Sequence, residues 1–130
     1  MPLDRRQFVT ASAAAAGLAA LPAFFNATLA PAQQRLKILM LGGTGFLGPH
    51  TVQYALDRGH EVTLFNRGLT NSDLFPDLEK IVGNRDPEID GGLSGLEGRQ
   101  WDAVIDTSGF VPRIVGASSS LLADHAEQYL

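Results

Sequence analysis

An α/β fold on a parallel β-sheet is what this chain predicts, and three observations predict it. Lys37-Ile38-Leu39-Met40-Leu41 is an almost unbroken apolar run, the pattern of a parallel strand covered on both faces. Directly after it come Gly42, Gly45 and Gly48, then Val52, Ala55 and Leu56 at helical spacing, so a strand, a tight turn and an amphipathic helix succeed one another without a break. Further apolar runs recur downstream at the spacing of βαβ units, and with right-handed crossovers they give the strand order 3-2-1-4, the N-terminal half of a Rossmann-type doubly wound sheet.

Residues 1–32 are expected to be an address rather than part of that fold. Arg5 and Arg6 precede Phe8, and no charged side chain lies between Gln7 and Gln34. The alanine-rich stretch 13–25 is about 13 residues long, short of the roughly 20 a bilayer span needs. The pattern resembles a twin-arginine export signal, with Asp4, Val9 and Thr10 departing from the usual flanks, and Ala30-Pro31-Ala32 offers a small-x-small site that puts cleavage before Gln33. The expectation is a periplasmic or exported protein handled by the twin-arginine machinery. Two alternatives are an uncleaved signal anchored at the inner membrane and a helix of the folded domain, though the stretch carries no polar face. Such a route carries folded cargo, so a cofactor loaded before export should be released slowly.

Residues 33–130 are read as the N-terminal part of a dinucleotide-binding domain. The first strand is expected over 36–41. A helix follows over 46–58: Pro49 is tolerated only in a first turn and costs about 3 kcal/mol deeper in, and Gly59 is placed to end it. The second strand spans 61–66, and the polar stretch 67–76 reads as a loop with one short helical turn. A third strand is expected at 78–82, where Glu79 and Lys80 interrupt the apolar run. Pro87, Gly91, Gly92, Gly95 and Gly98 leave room only for a short, poorly capped helix between 84 and 99. The fourth strand spans 101–106 around Ala103-Val104-Ile105, a helix covers 112–125, and Gln128-Tyr129-Leu130 has the look of a strand starting.

The three glycines have separate tasks in a phosphate cradle: Gly42 for the tight turn, Gly45 for close backbone approach to a pyrophosphate, and Gly48 for close packing of the helix. Amides of Thr44, Gly45, Phe46 and Leu47 at the helix mouth supply the attraction for the anion. No Gly-x-x-x-x-Gly-Lys-Ser/Thr is present, which disfavours a nucleoside-triphosphate loop. The Gly-x-x-Gly-x-x-Gly spacing, with Arg58-Gly59-His60-Glu61-Val62-Thr63-Leu64-Phe65-Asn66-Arg67-Gly68, resembles the extended short-chain dehydrogenase/reductase family, the NAD-dependent epimerases and dehydratases. The similarity runs from about Leu36 to Leu130.

Asn66 and Arg67 stand where an acidic residue at the end of the second strand holds the ribose hydroxyls of NAD. Arg67 offers a planar donor fork to a 2′-phosphate, so NADP is favoured over NAD, with a solvated turn residue as the alternative reading of Arg67. The resemblance implies an adenine contact just after Gly83, usually an aspartate. Here it is Asn84, whose oxygen accepts from the adenine amine without charge assistance, with Arg85 over the adenine face and Asp86 as the nearest carboxylate. It also implies that the loop Asp106-Thr107-Ser108-Gly109 runs beside the nicotinamide ribose through Thr107 and Ser108. Asp106 is otherwise a cap on the turn that follows.

The resembled family acts through a Tyr-x-x-x-Lys pair. Tyr54 is followed four positions on by Arg58, and Tyr129 by nothing, so no catalytic residue is expected here. The substrate, a small molecule, is unread. A net charge of −4, more acidic still beyond residue 32, argues against nucleic acid as a partner. Without cysteine, thiolate chemistry is excluded. His50, His60 and His125, the last placed in the final helix, have no metal-ligand spacing and read as structural, and Ser118-Ser119-Ser120 lacks a base. Rival readings are a non-catalytic nucleotide-binding scaffold or redox sensor, and a truncated product of marginal stability whose fourth strand has an unpaired edge.

Overall fold

The computed structural model describes residues 33–130, and the export signal expected over 1–32 lies outside them. Five strands form one parallel sheet: β1 (Lys37–Leu41), β2 (Glu61–Asn66), β3 (Glu79–Val82), β4 (Trp101–Asp106) and β5 (Ala126–Tyr129). Their spatial order is β3-β2-β1-β4-β5, which keeps the expected 3-2-1-4 and adds a fifth strand. Two helices connect them, α1 (Gly48–Asp57) between β1 and β2 and α2 (Pro112–Leu122) between β4 and β5.

The central strand explains the layering. Ile38 and Met40 point to one face and pack with Val52 and Ala55 of α1 and Val62 and Leu64 of β2. Leu39 and Leu41 point to the other, with Phe65, Val104 and Leu122. Period-two alternation thus fills two cores from one strand, and this is why the run in β1 has no polar interruption. Leu93, just before the 3-10 turn Ser94–Leu96, and Leu96 within it are buried in the second core. The short helix expected between 84 and 99 is this turn.

Two helix boundaries differ from expectation by two residues or more. Helix α1 starts at Gly48 rather than residue 46, because Phe46 sits at φ +47°, a left-handed conformation that cannot be part of a right-handed helix. At its far end Gly59, at φ +80°, donates its N–H to Leu56 O at 2.8 Å, as a glycine just past a helix should. Helix α2 ends at Leu122 rather than residue 125, so His125 is not helical: its carbonyl accepts the Trp101 N–H at 2.9 Å, which turns the chain into the sheet. The edge expected on β4 is also absent. β5 pairs with it from Trp101↔Ala126 to Val104↔Tyr129, and Leu130 extends the ladder by donating to Val104 O and accepting from the Asp106 N–H.

His60 has the structural role expected of it, its Nδ1 accepting the Leu36 N–H at 3.2 Å. The Glu61 N–H bonds Leu36 O at 2.8 Å, so the start of β2 is fixed beside the start of β1.

Candidate functional site

Parallel strands deliver their carboxyl ends to one edge of the sheet, and ligands of open α/β sheets lie in the crevice there. That edge holds a cleft of about 380 Å³. Gly42, Thr44 and Gly45 line it from the β1 turn, Asn66 and Arg67 from the end of β2, Asn84 and Arg85 from beyond β3, and Ser108 from beyond β4. Of the twelve residues singled out in the sequence, these eight line one cavity. Phe46, Leu47 and Gly48 complete the turn beside it. Thr107 anchors the loop after β4, its Oγ1 and N–H both donating to Leu41 O at 3.1 Å.

The glycine turn separates packing from access. A Cβ on Gly48 would lie 2.6 to 2.9 Å from the Gly43 backbone, so Gly48 lets the N-terminus of α1 close onto the loop that leaves β1. Gly43, at φ +95°, would meet Leu64 Cδ2 at 2.9 Å and Met40 Cγ at 3.0 Å. It is a fourth obligatory glycine that motif spacing alone did not single out, although it stands within the same run. Around Gly45 nothing lies within 4 Å, which leaves the space a phosphate needs. Among the described residues, the N–H groups of Thr44, Gly45, Phe46 and Leu47 donate to no protein acceptor. A cradle of unspent donors with open space in front suits an anion such as a pyrophosphate.

Asn71, another residue the sequence did not mark, holds this turn: its Nδ2 donates to Thr44 O at 2.9 Å while its own backbone sits at φ +45°. The loop after β2 is thereby tied to the loop after β1. Asparagine tolerates that backbone better than most residues, the only signal that could have found it.

Charge in the cleft is unevenly balanced. Asn66 Oδ1 accepts the Gly68 N–H at 2.8 Å, a local turn that leaves Arg67 exposed at the cleft wall, without an ion-pair partner among the described residues. Asn84 is turned likewise. Its side-chain oxygen, expected to meet an adenine amine, accepts the Asp86 N–H at 2.9 Å. Asp86 is paired with Arg113 at 2.6 Å, and the Arg113 guanidinium holds its carboxyl below the usual range.

Arg85 is engaged behind the wall it helps form. It grips Asp106 through both terminal nitrogens, at 2.6 and 2.8 Å, and also donates to Ser108 Oγ at 2.9 Å and Ser118 Oγ at 3.0 Å. Asp106 further accepts the Ser108 N–H at 3.0 Å, the turn cap that its position suggested, and the Tyr129 hydroxyl at 2.9 Å. Burial pushes the Asp106 carboxyl up, but the Arg85 fork, the Ser108 amide and the Tyr129 hydroxyl together hold it below its ordinary value. Burial and the Asp106 charge push the Tyr129 phenol up, the Ser118 hydrogen bond opposing them. Arg85 stands 21 to 33 residues from the partners of its fork, which hides the cluster from any local pattern.

The model of the NAD dependent epimerase/dehydratase family matches residues 38–107. Over 62 residues the chain is 39% identical to a UDP-glucose 4-epimerase of Neisseria meningitidis serogroup B, covering 47% of this chain and 18% of that one. Over 84 residues it is 29% identical to a 3-beta-hydroxysteroid dehydrogenase of Mycolicibacterium neoaurum, covering 63% and 22%. The enzyme WbmG of Bordetella bronchiseptica, solved in complex with NAD, is 24% identical with a TM-score of 0.48, covering 64% of this chain and 28% of that one. The chain therefore spans about a fifth of the length of these two curated relatives.

Proposed function

This chain belongs to the NAD dependent epimerase/dehydratase family, and from that premise we propose that residues 33–130 hold the dinucleotide of an epimerase/dehydratase-like oxidoreductase. The observation that carries the reading is the turn at Gly42–Gly48, with amides that have no protein acceptor facing open space beside Gly45. When bound, the nicotinamide supplies hydride chemistry. The chain's own residues bind and orient: the turn takes the diphosphate, the loop after β2 the adenosine ribose, the segment after Gly83 the adenine, and Thr107 and Ser108 the second ribose.

The finer proposal is that NADP is preferred over NAD. Arg85 and Asp86 are paired within the protein, so Arg67 is the charged group at the cleft wall whose fork remains to meet a 2′-phosphate. Replacing Arg67 with glutamate should weaken NADP by about 30-fold, the scale of a lost charge-assisted hydrogen bond, and leave NAD within about threefold by titration calorimetry. Equal losses for both nucleotides would remove the preference, and no heat with either on folded protein would remove the dinucleotide reading itself.

Activity, substrate and partners of the whole protein are likewise proposals. These 130 residues hold no Tyr-x-x-x-Lys pair, so the proton-transfer step is not assigned to any of them. Export through a twin-arginine signal over residues 1–32, with cleavage before Gln33, is proposed from Arg5, Arg6 and the uncharged run behind them.

A further inference from the structure

Arginine has five N–H donors and no acceptor, so an arginine that contacts a ligand phosphate must keep at least one donor directed at it. In Arg85 four are spent on the protein and the fifth is buried. One terminal nitrogen donates to Asp106 and Ser108, the other to Asp106 and Ser118, and Nε is buried without a hydrogen-bond partner among the described residues. The side chain is only 13% exposed and its carboxylate partner 5%, yet Arg85 still lines the cleft. With its in-plane donors spent or buried, what it can offer there is stem and guanidinium face, its charge balanced by Asp106.

We propose that Arg85 is not a phosphate ligand but a rigid, charge-compensated plate against which the nucleotide base stacks, held in place by Asp106, Ser118 and Tyr129 as positioning residues. The inference rests on the dinucleotide reading of the cleft and deepens it. Asp106 comes from the end of β4, Ser118 from α2 and Tyr129 from β5, so three elements outside the glycine turn fix one wall of the site. Tyr129 donates to Asp106 Oδ2 and lies 2.9 Å from Ser118 Oγ, which joins the two groups that grip the fork. A base stacked on a guanidinium gains attraction from its face alone. Selectivity between NAD and NADP then falls to Arg67, and Arg85 serves both nucleotides equally.

The test compares NAD and NADP affinities by calorimetry on the full chain. Arg85→Gln should weaken both by the same factor, about tenfold, leaving their ratio unchanged, whereas Arg67→Gln should change the ratio. Arg85→Gln leaves a buried carboxylate unpaired and can unfold the protein, so the double variant Arg85→Gln/Asp106→Asn, which removes both charges, is measured alongside it with the same expectation. Tyr129→Phe should weaken both nucleotides by about threefold. A loss confined to NADP in the Arg85 variants overturns the proposal, because it makes Arg85 a phosphate ligand. So does an unchanged affinity for both.

A second readout needs no nucleotide. In a Tyr54→Phe background Tyr129 is the remaining tyrosine, and its ionisation can be followed by ultraviolet absorbance. Arg85→Gln should raise the titration of Tyr129 and Asp106→Asn should lower it. A phenol indifferent to both refutes the clamp even if dinucleotides bind. Wild-type protein that shows these shifts but binds neither dinucleotide overturns the reading of the cleft, and the stacking role with it.

Discussion

One methyl group separates the two kinds of work glycine does after β1. At Gly45 an added Cβ meets nothing within 4 Å, so Gly45→Ala should fold with an unchanged melting temperature. The methyl would stand in the space assigned to the diphosphate, and dinucleotide affinity should fall at least about tenfold, the scale of a clash in a well-fitted site. At Gly48 the same methyl would lie 2.6 Å from the Gly43 backbone. Gly48→Ala should therefore cost about 2 kcal/mol of stability, as overpacking does, and weaken binding only through the displaced turn. Thermal melts and nucleotide titrations on the two variants separate the roles. If Gly45→Ala bound as wild type, the space beside it would not be the diphosphate site.

Elements were legible wherever local pattern and tertiary demand coincided. The apolar run of β1, the glycines and Pro49 gave β1 and α1 to within two residues, and the order 3-2-1-4 followed from spacing. The misses have tertiary causes. Phe46 takes a left-handed backbone that only the turn's geometry demands, and beyond α2 Trp101 claims the His125 carbonyl for the sheet. Most of the candidate site was visible as residues at strand ends, but the use of their donors was not: Asn66 and Asn84 spend their oxygens on local turns, and Arg85 spends its fork on a carboxylate 21 residues away. Packing makes β1 the element least tolerant of truncation. Met40, fully buried between α1 and β2, should lose about 3 kcal/mol on change to alanine. Val82, 70% exposed on the outer strand β3, should lose under about 0.5 kcal/mol, and urea denaturation of the two variants checks the contrast.

For the molecule as a whole, acid sensitivity should centre on Asp106. Its folded pKa is lowered, so its contribution to stability is complete above about pH 4, where the unfolded carboxyl has ionised, and is lost as pH falls through the folded value. Asp106→Asn should cost about 3 kcal/mol near neutrality, since it leaves a buried guanidinium unbalanced, and should flatten the decline below pH 4 in denaturation curves taken across pH. Export is a property of the whole chain too: Arg5→Lys/Arg6→Lys should hold the protein in the cytoplasm, read by cell fractionation, and unchanged secretion would refute the proposed signal. The touching backbones of Gly43 and Gly48 carry one more consequence, for how such a chain can drift over generations. Both positions are closed to larger residues by the fold itself, ligand or no ligand, while the position between them is closed only by what the cleft must admit. A descendant that had abandoned its nucleotide would keep the outer pair and let residue 45 wander, so the middle glycine, not the triplet, is the witness to a working cofactor.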